Sequence, residues 1–171
     1  MININKLEFE KFKDDLSILS EESSSQQLLD IIKKFLISNE EFFSEKPYSD
    51  YKLLGFLDYN DNEYPINYSS LNKYEIIVFK KILNSYKHNE GENITRFLRD
   101  TLERLYYFEV DETCKNCGAY GLIAIAELNK NIVQLECRQC GCIYDLDGDV
   151  STISGFSVPA TIKNLLNAQL I

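Results

Sequence analysis

Cys114-Lys-Asn-Cys117-Gly118 and Cys137-Arg-Gln-Cys140-Gly141 repeat one form, CxxCG, with 19 residues between the two pairs. Nothing else in the 171 residues constrains the fold so tightly. Two intervening residues let both sulfurs of a pair reach one ion, and a glycine after the second Cys can take the positive φ that turns the backbone around it. Four thiolates then complete a tetrahedral shell. A catalytic zinc keeps one position exchangeable, so a shell closed by four sulfurs is structural. The expectation is one structural zinc held by Cys114, Cys117, Cys137 and Cys140. The alternatives are reduced free thiols or two disulfides, and spacing together with a reducing compartment favours the metal. The fifth cysteine, Cys142, stands two residues after Cys140 at the start of a predicted strand. It could compete for the ion, but a small buried hydrophobe is the ordinary role for such a position.

Between and after the pairs run alternating and β-branched stretches at 120–128, 132–136 and 143–146, read as strands, with Asn129-Lys130-Asn131 as a turn-compatible triplet. The order is knuckle, hairpin, knuckle, strand. In motif and order it resembles the zinc ribbon over residues 111–149, under a quarter of the chain. Members of that fold group serve transcription, translation, replication and scaffolding, so the resemblance implies a fold and a metal rather than an activity. Residues 111–149 hold three basic and seven acidic side chains, a net of -4, which opposes phosphate contact through this module. Ribbons resembling transcription elongation factor S-II carry an adjacent acidic pair at the hairpin tip. Here the tip is Leu128-Asn129-Lys130-Asn131, and that cleavage-stimulating role is not implied.

Ahead of the module, helical periodicity dominates. Leu7, Phe12, Leu16 and Leu19 predict a helix over 6–20. Ser23-Ser24-Ser25 offers an N-cap for a second, carrying Leu28, Leu29, Ile31, Ile32, Phe35 and Leu36, with Phe42 and Phe43 as an extension. The stretch 47–70 is rich in aromatics and turn formers and reads as a loop with one short hairpin. Ser70 is a candidate cap for a helix to about Lys87, Gly91 a stop signal, and Asn93 a cap for one more helix through Tyr106. So short a connection predicts an antiparallel pair. After Val158-Pro159-Ala160, residues Ile162, Leu165, Leu166 and Leu170 predict a terminal helix. The fold class is therefore α+β: a mainly helical body over 1–109, the ribbon over 110–149, and a segment at 150–171 whose helix is expected to pack back on the body.

Charge narrows the function. With 27 acidic against 18 basic residues the net charge is -9, which opposes a broad grip on nucleic acid and favours a basic partner. No run approaches the roughly 20 apolar residues that cross a bilayer, and the first residues lack the apolar core of a secretion signal, so the expected location is the cytoplasm without membrane attachment. Phosphate loops and HExxH helices are absent from the sequence. The lone His88, at a predicted helix end, suits a C-terminal capping role better than catalysis. Asp145-Leu-Asp147-Gly148-Asp149 and Asp58-Tyr-Asn60-Asp-Asn62 alternate oxygen ligands, but neither has the Gly and Glu that a calcium loop needs. The expectation is a non-enzymatic acidic binding module. Its candidate partner-binding residues are Asp50, Tyr51, Asp58, Tyr59, Asp61, Glu63 and Tyr64, which join charge to amphipathic rings. One specific version is an immunity or antitoxin-type protein that neutralises a basic toxin such as a nuclease. The alternative is an accessory factor in transcription or nucleic-acid metabolism, with Lys33-Lys34 and Lys80-Lys81 with Lys87 as its basic patches.

Overall fold

A computed structural model describes residues 3–69, 73–127, 132–153 and 155–171. The fold is α+β, and the chain divides into two compact units: Met1–Tyr59 with Leu71–Leu105, and Asn60–Ser70 with Tyr106–Ile171. Residues 60–70 group with the sheet rather than with the helices on either side of them in sequence.

The first unit is helical. Asn5 caps α1 (Lys6–Ser17), its Oδ1 accepting from Leu7 and Glu8 backbone N–H at 2.9 and 3.2 Å. Ser24 caps α2 (Ser25–Ser38) in a reciprocal box with Gln27, as the serine cluster predicts. A break at Asn39 separates the short α3 (Glu40–Ser44), which carries Phe42 and Phe43 into the core. Phe12 and Phe35 stack at 4.1 Å where α1 meets α2. Each fully buried Leu, Ile or Phe there contributes about 2 kcal/mol relative to exposure.

α4 (Lys73–Ser85) and α5 (Gly91–Tyr106) run antiparallel, as the short connection requires. Phe79 stacks on Phe97 at 4.9 Å, and Arg104 near the end of α5 pairs with Glu75 near the start of α4. The candidate cap Ser70 lies outside the described residues. Gly91 begins α5 rather than stopping the preceding helix, and Asn93 lies inside α5 rather than capping it. The reason is steric: a Cβ at Gly91 would sit 2.6 Å from Phe42 Cζ, so the glycine serves close packing rather than helix termination. Between α3 and α4 the expected hairpin is replaced by four short 3-10 turns, at Tyr48–Tyr51, Leu53–Asp58, Asp61–Glu63 and Ile66–Tyr68. Leu53, Phe56 and Ile66 are buried from these turns without any regular period.

The second unit is built on a sheet. Among the described residues it has six antiparallel strands: β1 (Phe108–Thr113), β2 (Tyr120–Glu127), β3 (Val133–Glu136), β4 (Ile143–Tyr144), β5 (Val150–Ser151) and β6 (Ser157–Pro159). Their order is β1-β2-β3-β4-β5, and β6 pairs with β2. β3 takes one edge of β2; the other is shared, with β1 opposite residues 120–124 and β6 opposite residues 125–127. The triplet Asn129-Lys130-Asn131 lies outside the described residues.

Thr161 caps α6 (Ile162–Asn167) in a second reciprocal box with Asn164. Leu165 and Ala160 are fully buried in one core with Cys114, Leu122, Ala124, Leu135, Cys137 and Tyr144. The final segment is thus part of the second unit's own sheet and core. The pairing of β6 with β2 carries Leu165 onto that sheet.

Candidate metal centre

Cys114 and Cys137 each end a strand, and each is followed by the same tight turn. Gly118 N–H donates to the Cys114 carbonyl at 2.9 Å, and Gly141 N–H to the Cys137 carbonyl at 2.8 Å. The turn closes from the other side as well: Cys114 N–H donates to the Ala119 carbonyl and Cys137 N–H to the Cys142 carbonyl, at 2.8 and 2.9 Å. Gly118 and Gly141 have φ of 75° and 71°. No atom lies within 4 Å of a Cβ added at either. Backbone conformation, not space, selects glycine at both positions.

The two knuckles bring all four sulfurs within 4.8 Å of one another. Cys114 Sγ lies 3.6 Å from Cys140 Sγ, and Cys117 Sγ lies 3.6 Å from Cys137 Sγ. A disulfide needs about 2.05 Å, so these are not bonded pairs. A tetrahedral ion with sulfur bonds of about 2.3 Å sets its ligands about 3.8 Å apart. The cluster therefore fits a single four-coordinate ion, and the donor set is positioned to hold one. Among the described residues it is the one group of three or more His, Cys, Asp or Glu side chains so arranged. Cys114 and Cys137 are buried, while Cys117 and Cys140 face outward.

Polar groups around the sulfurs tune them unequally. The Tyr144 hydroxyl, 3.2 Å from Cys114 Sγ, and the backbone N–H groups of Cys117 and Asn116 pull the Cys114 thiol down to about 6 against its desolvation. The Asn116 side chain and the Cys142 N–H likewise lower Cys140. At Cys117 the Ala119 N–H favours the thiolate. Desolvation and the sulfurs of Cys140, Cys114 and Cys137 together outweigh it and push this thiol up to about 12. Four crowded thiolates repel one another, so a dication is what lets all four ionise together.

Tyr144 and Asn116 are the members of this site that sequence reasoning missed. Asn116 sits inside the first knuckle, where a local polar role was readable in principle. Tyr144 comes from β4, and only the pairing of Leu135 with Tyr144 brings its ring under the first knuckle. Cys142 is outside the four-sulfur group; it is half-buried and packs on the core around Leu135 and Tyr144.

The candidate partner-binding residues divide between the two units. In the first, Asp50 and Asp58 are exposed. Tyr51 and Tyr59 are half-buried: the Tyr51 carbonyl accepts from Arg99 at 2.9 Å, and Tyr59 packs edge-on against Phe56 at 5.7 Å. In the second, Glu63 is exposed, Asp61 accepts the Tyr106 hydroxyl at 2.5 Å, and Tyr64 meets the Tyr106 ring edge-on at 5.4 Å. The Tyr59 and Tyr64 rings are held by intramolecular packing, and the carboxylates of Asp50, Asp58 and Glu63 are exposed. Glu63 also lines an open groove of about 390 Å³ with Ile162, Lys163 and Leu166. The other acidic run forms a turn: Asp145 Oδ1 accepts Asp149 N–H at 2.9 Å, and Lys115 Nζ binds the Gly148 carbonyl at 2.6 Å.

Among the described residues no helix is long and apolar enough to cross a membrane. No protein-family model, no curated protein and no solved structure matches the chain.

Proposed function

We propose that this chain is a non-enzymatic protein-binding module, stapled by one structural zinc ion, whose acidic surface docks a basic protein partner. The observation that carries the reading is the closed set of four thiols. The donor set is all sulfur, which suits zinc, and four such ligands fill a tetrahedral shell without leaving a place for water or substrate.

Charge supports the choice of partner. The sheet unit, with residues 60–70, holds ten acidic and four basic residues, a net of -6 out of the chain's -9. Among the described residues, Lys115 is engaged on the Gly148 carbonyl and Arg138 over the Tyr107 ring at 5.4 Å. Such a surface steers cationic proteins toward it and speeds their association. The basic patches required by the nucleic-acid reading are largely engaged too. Lys33 reaches the Tyr59 carbonyl, Lys34 pairs with Asp15 at 2.7 Å, and Lys80 caps the Ser17 and Leu19 carbonyls.

The test is purification of the full chain from its native cells, with elemental analysis and mass spectrometry of what co-elutes. One zinc per chain and a stoichiometric cationic protein are expected, and a nuclease toxin in that position would make the chain its neutraliser. Folded chain without metal would overturn the structural-zinc reading. Saturable binding of labelled DNA or RNA at about 0.1 M salt, where charge interactions reach about 10 Å, would overturn the choice of partner.

A further inference from the structure

We propose that the outer edge of β1 receives an extended segment of the basic partner as an added strand, one in which basic and apolar side chains alternate. The inference rests on the proposed basic partner and names where and how it binds.

β1 ends the sheet order, and among the described residues no strand pairs with its outer side. An edge of this kind presents a row of backbone donors and acceptors, which is the template that strand addition uses. At six residues β1 is long enough to hold a segment in register, whereas the opposite end of the order is β5, with only two. Along β1 the side chains alternate in burial. Phe108 and Val110 are half-buried against the core that contains Leu122 and Tyr144, while Glu109 and Asp111 are exposed on the other face. Glu112 is exposed as well, past the register shift between Val110 and Thr113.

That pattern dictates the occupant. A strand added beside β1 continues both faces, so its apolar residues extend the face of Phe108 and Val110 while its alternate residues stand across from Glu109 and Asp111. Opposite charges directly across a pair stabilise it and like charges oppose it. A lysine or arginine at every second position fits. A second copy of this acidic edge does not, because its own carboxylates would face these, and this is how an open edge avoids pairing with itself.

The test titrates the full zinc-loaded chain with a labelled synthetic peptide in which Lys and Val alternate, and with a peptide of the same composition in separate Lys and Val blocks. The alternating peptide is expected to bind more tightly and to slow amide exchange within 108–113. Glu109→Lys with Asp111→Lys should lose about tenfold in affinity for it and gain affinity for an alternating Glu and Val peptide, which also shows that the variant is folded. Equal binding of the block peptide, protection elsewhere than β1, or no switch of preference would each overturn the proposal. A native basic partner that binds the charge-swapped variant undiminished would overturn the edge and leave the docking function standing. Absence of any basic partner would overturn the function, while the peptide measurements still decide the edge.

Discussion

The Tyr144 hydroxyl stands 3.2 Å from Cys114 Sγ and accepts the Asn116 backbone N–H at 3.1 Å. Toward an ionised sulfur the hydroxyl is the donor, while its oxygen accepts the N–H. One buried ring thus ties a sulfur of the four-cysteine cluster to the turn that follows it. Groups that orient ligands in this way typically change metal affinity 10 to 100-fold when removed. Tyr144→Phe should keep the fold and lower metal affinity by about tenfold, measured by competition with a chromophoric chelator. Unchanged affinity would make the tyrosine a packing residue only.

Removing the metal should act on one unit first. Cys114 and Cys137 are 1% exposed and belong to the same core as Leu135 and Leu165. Structural zinc contributes on the order of 10 kcal/mol to small domains. Chelation should therefore abolish amide protection in β2 to β4 while α2 stays protected, read by hydrogen exchange. Uniform retention of protection would show that the sheet holds without its ion.

The glycines separate two kinds of cost. Gly118→Ala and Gly141→Ala meet no neighbour, so each should lose only the left-handed backbone penalty, about 1 to 2 kcal/mol. Gly91→Ala improves helix propensity by about 1 kcal/mol, yet it places a methyl group against Phe42 and should destabilise by about 1 to 3 kcal/mol. Urea midpoints with unchanged slopes would measure all three.

At Tyr59, burial raises the phenol above its ordinary value of 10.0, with Arg99 opposing the shift and Asp58 adding to it. The folded state therefore holds this proton more tightly than the unfolded one. The stability it contributes is complete below pH 10 and is lost as the pH climbs through the folded value. Tyr59→Phe should flatten part of the alkaline fall in stability, seen as a weaker dependence of the unfolding midpoint on pH. An identical alkaline profile in wild type and variant would contradict that linkage.

The clustering of the four cysteines was legible in the sequence because spacing alone fixes which sulfurs can share an ion. Local signals also served where a side chain acts on its own turn, as Ser24 does for α2 and the CxxCG glycines do for the knuckles. Long-range pairing was not legible. Leu165 and Leu166 announced a helix, but only the β2 and β6 register determines that Leu165 is buried against Leu122 and Leu135. Gly91 looked like punctuation because its neighbour Phe42 lies far away in sequence. Leu53, Phe56 and Ile66 bury from 3-10 turns, which leave no period for a pattern to show.

Residues 60–70 belong with the sheet although they interrupt the helical stretch of chain. No single cleavage can therefore part the two halves cleanly. A fragment ending at 105 would keep Asp61 and Tyr64 and discard Tyr106, the ring that both of them contact. The complementary piece would bury Tyr106 with its hydroxyl acceptor gone. Dissection by truncation would then report misfolding where the intact polypeptide has none, and point substitution is the better scalpel for this molecule.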